Sequence, residues 1–154
     1  VIRALEFYHL SGKRISEHNE KEREKTSPYH FAYFVLTDER PHLYANIDKR
    51  VDLMIEQGLV DEVQKLKNMG FHRDMVSMQG LGYKEILDYL DGKTTLEEAI
   101  YIIKRETRHF AKRQLTWFRR ERDVIWLDKQ TYDYQDAKIL DSMINILKEK
   151  TIIN

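Results

Sequence analysis

Thr95–Arg122 reads TLEEAIYIIKRETRHFAKRQLTWFRRER, and its spacing decides how the rest of the chain is read. Leu96, Ile100, Ile103, Thr107, Phe110, Ala111, Gln114 and Phe118 recur on one helical face, with Arg105, Arg108, Lys112, Thr116 and Arg119 on the opposite one. The spacing predicts one long helix with a core side and a basic side. Thr94 or Thr95, followed by Glu97 or Glu98, supplies a capping box at its start. Between Lys104 and Arg122 stand eight Lys or Arg against two Glu, a local net charge of +6, which leaves −6 on the remainder of a neutral chain. A basic helix face of this kind reads first as a site for phosphates, with a solvated face as the plain alternative. Gln114 sharpens the reading, because an amide centred on an apolar stripe needs partners, and leaving it unpaired costs about 1–3 kcal/mol.

Outward from this helix the chain alternates short helices with two strand-like runs. On the N-terminal side, Ile86, Leu87 and Leu90 imply a short helix stopped by Gly92, preceded by an aperiodic stretch from Phe71 that ends in QGLGYKE. LVDEVQKLKNMG forms one amphipathic set ending at Gly70, and DERPHLYANIDKRVDLMIEQG another, with Leu43, Ile47, Val51, Met54 and Ile55 inward and Pro41 in its first turn. Phe31–Thr37, FAYFVLT, is aromatic and β-branched, which predicts a buried strand. Lys13–Ser27 has hardly any apolar residues and reads as a loop or mobile connector. Val1–Leu10 has helical spacing, with Ser11 and Gly12 as its stop. After the basic helix, Val124–Asp128 predicts a second strand, and Ala137–Lys150 a last helix with Ile139, Leu140, Met143, Ile144 and Leu147 inward.

Composition bounds the answer. A chain of 154 residues suits one domain with a core of its own, and 42% hydrophobic with 34% charged residues describes a polar, helix-rich protein. The absence of cysteine excludes disulfides, thiolate chemistry and Cys-based zinc sites. No apolar run approaches membrane-spanning length and nothing resembles a signal peptide, so a soluble protein is expected. Val1 rather than Met leads straight into a helix, as expected for the back part of a longer chain.

Several tempting motifs fail. Gly92-Lys93-Thr94 ends like a phosphate-binding loop, but that pattern needs a glycine where Leu87 stands. Gly80-Leu81-Gly82 opens a dinucleotide fingerprint whose third glycine would fall on Glu85. His9, His18, His30, His42, His72 and His109 show no pair at metal spacing on a helix, and no Ser, His and Asp set announces a nucleophile.

What holds is GLGYKE together with KRQLTWFR. Beginning with VIRALEFYHLSGK, continuing through IDKRVDLMIEQGLVDEV and QGLGYKE, and finishing with KRQLTWFRRERDVIWLD, the chain resembles the transfer RNA dimethylallyltransferases along nearly its whole length. Four blocks in the family's order are far more specific than any one of them. The resemblance implies transfer of a dimethylallyl group from its diphosphate to N6 of the adenosine 3′ to the anticodon, with magnesium, in a fold related to P-loop kinases. The family's phosphate-binding loop and general-base carboxylate have no counterpart in these 154 residues, so magnesium ligands are expected outside this chain and no catalytic residue within it. On this reading residues 1–154 are a single C-terminal region of the transferase core, inactive alone. It is expected to be a mostly helical α/β piece whose two strands join a parallel sheet with its other strands absent.

By the same resemblance the tRNA-contacting residues are Gln79, Gly80, Leu81, Gly82, Tyr83 and Lys84, and Lys112, Arg113, Gln114, Leu115, Thr116, Trp117, Phe118 and Arg119. Arg50, the arginine of the IDKR block, is expected near the diphosphate. The partners implied are the tRNA anticodon stem-loop and dimethylallyl diphosphate, with no membrane, in a monomeric cytoplasmic enzyme. The chemistry suits these residue types: a base held out of its stack needs aromatic faces and amides, and its backbone needs Arg and Lys. Without the family, Trp117 and Tyr83 read first as core packing, Gln114 as a cap inside the core, and Thr116 as bonded back to its own helix. Two other readings stand beside the transferase: a non-catalytic RNA-binding helical module, and a structural protein whose basic face pairs with its own acidic remainder.

Overall fold

The computed structural model describes residues 2–25 and 27–153. Seven helices and two strands follow in the order α1 (Ile2–Ser11), α2 (Ile15–Glu24), β1 (Tyr33–Thr37), α3 (Arg40–Glu56), α4 (Leu59–Asn68), α5 (Tyr83–Leu90), α6 (Leu96–Phe118), β2 (Val124–Asp128) and α7 (Asp136–Glu149). Short 3-10 turns cover Val76–Gln79 and Lys129–Tyr132. The strands pair in parallel, Tyr33 opposite Val124 through Thr37 opposite Asp128, so α3 to α6 form the crossover between them.

The core lies among the helices. Leu59 and Val63 of α4, Ile86 and Leu87 of α5, and Ala99 and Ile103 of α6 close on one another with Val51 of α3 and Met78 of the first 3-10 turn. Val63, Ile86 and Ala99 have no exposed surface at all. Each such Val or Ile contributes about 1.5–3 kcal/mol by leaving water. The capping box of α6 uses Thr95 and Glu98: Glu98 N–H donates to Thr95 Oγ1 at 3.1 Å, and Thr95 N–H to Glu98 Oε2 at 2.9 Å.

α3 runs antiparallel to α6, as two ion pairs show. Lys104 meets Asp52 at 2.6 Å and Arg108 meets Asp48 at 2.5 Å. α5 covers the other flank of α6, but only along its first half, because α5 is eight residues long against twenty-three. Burial along α6 therefore rotates from the α5 side toward α3 and β1. Phe110 and Gln114, expected on the core side, lie beyond the end of α5 and are exposed. Thr107, Ala111 and Phe118 are half-buried as expected, and Leu115 joins their stripe.

Three further expectations change. Within Lys13–Ser27, read from composition as a loop or connector, Ile15–Glu24 is helical; its Glu and Lys are strong helix formers even without an apolar stripe. β1 is shorter than Phe31–Thr37 and only partly buried, with Val35 covered and Leu36 53% exposed, since it has one strand neighbour among the described residues. Leu140, expected inward on α7, is exposed. The proposed helical start at Val1 and the connector residue Thr26 lie outside the described residues.

Candidate nucleic-acid interface

The last two turns of α6 carry Lys112–Arg119. Leu115 and Phe118 are half-buried and fix the helix end, Phe118 meeting the Tyr33 ring of β1 edge-on at 6.1 Å between centroids. Lys112, Arg113, Gln114, Thr116, Trp117 and Arg119 face outward. Trp117 is 54% exposed and packs edge-on against Phe118, so its indole is presented rather than buried in the core. The Gln114 amide has no side-chain partner among the described residues, which overturns its reading as a core cap. Thr116 does bond back to its helix, its hydroxyl donating to the Lys112 carbonyl at 2.9 Å. Arg113 stands over the Phe110 ring at 5.9 Å, a cation–π contact that also presents Phe110.

Charge divides α6 in two. Lys104, Arg105 and Arg108 are matched by Asp52, Glu106 and Asp48. Lys112, Arg113 and Arg119 have no ion-pair partner among the described residues. Pairing of the basic face with the acidic remainder thus holds for Lys104 and Arg108, whose partners lie on α3, while Arg105 pairs within its own helix. A shallow hollow of about 580 Å³ surrounds the exposed tryptophan, bounded by His109, Lys112, Arg113, Thr116 and Arg120. It is lined by cations, one imidazole and an indole face, a composition that suits phosphates and a stacked ring.

Gln79–Lys84 is built differently. Gln79 closes a 3-10 turn and its amide nitrogen donates to the Arg73 carbonyl. Gly80 is exposed and Leu81 half-buried. Gly82 is buried at φ +102°, and its N–H donates to the Glu85 carboxylate at 2.8 Å. Glu85 itself is only 5% exposed, so this bond settles a buried carboxylate and starts α5. Tyr83 donates its hydroxyl to Glu62 of α4 at 2.5 Å, and that bond, with some burial, pushes the phenol above its ordinary pKa. Lys84 lies 3.5 Å from Glu85. Its side chain joins Arg73, Asp88, Thr94, Arg105 and Glu106 around a hollow of about 280 Å³ between α5 and α6. Asp88 there resists the upward push of burial, because hydrogen bonds from Arg73 and Lys93 hold its carboxyl below the usual range.

The two segments share α6 as a wall without sharing a cavity. Arg105 is in the Lys84 hollow, and Lys112 follows seven residues later, about 10 Å along the axis. Arg50 is exposed on α3, outside both hollows. A third cleft, missed from the sequence, joins Arg40 and Tyr44 of α3 to Lys112 and Arg119. Only the antiparallel pairing of two helices brings those residues together, although the Asp48 and Arg108 charges could have suggested that pairing. Among the described residues no three His, Asp or Glu side chains are grouped to hold a metal ion, and no helix is long and apolar enough to cross a membrane.

Residues 1–121 match the IPP transferase family. The chain is 60% identical over 153 residues to a tRNA dimethylallyltransferase of Lachnoclostridium phytofermentans, covering 99% of this chain and 49% of that protein. It is 49% identical over 143 residues to the tRNA dimethylallyltransferase of Acetivibrio thermocellus, covering 93% of this chain and 45% of that protein. Among solved structures, the tRNA isopentenylpyrophosphate transferase of Bacillus halodurans superposes with a TM-score of 0.72 at 45% identity, over 88% of this chain and 45% of that one. The tRNA delta(2)-isopentenylpyrophosphate transferase of Staphylococcus epidermidis gives 0.77 at 34% identity, over 96% and 47%. The chain spans about half the length of the curated relatives it matches.

Proposed function

The chain belongs to the IPP transferase family, and on that premise we propose that it forms the tRNA-facing part of a tRNA dimethylallyltransferase. The observation that carries this reading is the outward presentation of Lys112, Arg113, Gln114, Trp117 and Arg119 from a helix end that Leu115 and Phe118 hold in place. The reaction proposed moves a dimethylallyl group from its diphosphate to N6 of the adenosine 3′ to the anticodon.

That adenine must leave its stack before N6 can meet an allylic carbon. Trp117 offers the stacking face, an interaction worth about 1–3 kcal/mol per base. The Gln114 amide offers two donors and an acceptor to a base edge. Lys112, Arg113 and Arg119 hold backbone phosphates and fix the register, as does Lys84 at the second segment. As the N6 lone pair forms a bond to C1 of the allyl group, the C1–oxygen bond breaks, its electrons leave with the diphosphate, and the proton of N6 passes to a base. No base for that proton is assigned among this chain's residues. Arg50 is assigned to the side of the departing diphosphate, where a fixed cation stabilises the developing charge. Magnesium is implied by the family resemblance; no described group of this chain is built to hold it, and no step here runs through it.

The 154 residues contain no phosphate-binding loop motif, so the chain alone is proposed to bind RNA without transferring the group. The whole enzyme is proposed to act as a cytoplasmic monomer. The test is to incubate the full-length protein, and separately residues 1–154, with dimethylallyl diphosphate and an unmodified anticodon stem-loop, and to follow the target adenosine by mass spectrometry. Addition of one isopentenyl group by the full-length protein only is the expected result. Absence of transfer by the full-length protein contradicts the reading.

A further inference from the structure

The first turn of α3 and the last turns of α6 enclose a cleft of about 70 Å³. Arg40 and Tyr44 form one wall, Lys112, Thr116 and Arg119 the other, and Leu43 and Leu115 the floor. Three cations line this space and no carboxylate does. In the neighbouring hollow, by contrast, Arg73, Lys84 and Arg105 are balanced by Glu85, Asp88 and Glu106. None of the three cations of the cleft has an ion-pair partner among the described residues. Like charges gathered around a small space repel one another, and an anion placed between them relieves all three at once.

Size narrows the ligand. The cleft is far smaller than the hollow of about 580 Å³ around Trp117, so it suits a compact phosphate group rather than a stacked base. Tyr44 adds a half-buried hydroxyl with no partner among the described residues. Thr116 adds none, because its proton is already committed to the Lys112 carbonyl. The residues are held by two ion pairs further along the same helices, Asp48–Arg108 and Asp52–Lys104, which fix α3 against α6.

We propose that Arg40 and Tyr44, together with Lys112 and Arg119, form a site for a single phosphate of the RNA backbone, extending the RNA-facing surface from α6 onto α3. The proposal rests on the reading of α6 as RNA-facing. The shared chemistry is a phosphate oxyanion, which the diphosphate of the small substrate also carries. Arg50 lies ten residues beyond Arg40, about 15 Å along α3, so the two arginines serve different groups.

The test is fluorescence anisotropy of a labelled anticodon stem-loop titrated with the full-length protein across a range of KCl concentrations. The variants are Arg40→Gln, Tyr44→Phe, and Lys112→Ala with Arg119→Ala. Arg40→Gln is expected to weaken binding about three- to tenfold and to reduce the slope of log affinity against log salt by about 0.7–1. Tyr44→Phe is expected to weaken binding less and leave the slope alone, since it removes a hydrogen bond and no charge. Melting temperatures of both should match the parent, because neither side chain packs in the core. If Arg40→Gln keeps affinity and slope while the Lys112, Arg119 variant flattens the slope, the site is overturned and the wider RNA reading stands. If the parent protein shows no salt-dependent RNA binding, both are overturned. Inorganic diphosphate as competitor separates the two phosphate sources. Equal competition against parent and Arg40→Gln is expected; competition lost in Arg40→Gln with an unchanged RNA slope overturns the backbone assignment.

Discussion

Gly82 holds φ +102° and ψ −50° at the point where the Gln79–Lys84 segment enters α5. An added Cβ would meet only the Leu59 methyl at 3.9 Å, so space is not the obstacle. The backbone conformation is, and Gly82→Ala is expected to destabilise the protein by about 1–3 kcal/mol, read from thermal unfolding. Asp38, just after β1, has an 8% exposed side chain that takes hydrogen bonds from His42 at 2.5 Å and Tyr134 at 3.0 Å. Burial pushes its carboxyl up, but these bonds and the Glu39 N–H outweigh it and hold the pKa below the ordinary value. A depressed folded pKa stabilises above the unfolded value, near 3.9, and that stability is lost as pH falls through the folded one. Asp38→Asn is therefore expected to unfold more readily than the parent at neutral pH and to converge with it in acid. Unfolding curves that stay parallel down to the acid transition would contradict this.

At the scale of elements, α6 is two half-helices in one. Its first half is core, and Ile103→Ala, at a residue 2% exposed, is expected to cost about 2–5 kcal/mol. Its second half is surface, and Gln114→Leu is expected to leave stability within about 0.5 kcal/mol while lowering turnover by the full-length protein. A loss confined to stability would instead make Gln114 structural. The period of Thr95–Arg122 showed the helix, its cap and its charge, and the capping box narrowed to Thr95 with Glu98. The period could not show that α5 stops short, so it placed Phe110 and Gln114 in a core that does not reach them. α2 escaped a reading based on hydrophobicity because its residues favour a helix without burying one face. The segments GLGYKE and KRQLTWFR were legible as sequence, whereas Arg40 and Tyr44 depend on which helix lies beside α6.

For the whole molecule, surface is the telling quantity. The chain exposes 11780 Å² for 18.6 kDa, where a compact monomer of that mass exposes about 8,200 Å². Part of the excess is apolar: Leu5 of α1, Leu36 of β1 and Trp126 of β2 are each more than a third exposed. Residues 1–154 in isolation are expected to show a radius of gyration clearly above the roughly 15 Å of a compact domain of this length. A value at 15 Å would mean that these surfaces close on one another in solution. The basic end of α6 is the surface assigned to RNA, and the salt dependence of anticodon stem-loop binding reads that assignment. Full-length protein carrying Lys112→Ala and Arg119→Ala should bind more weakly than the parent, with a salt slope reduced by about 0.7–1 for the phosphate these two cations share. An unchanged slope would contradict the claim that this helix end holds RNA phosphates.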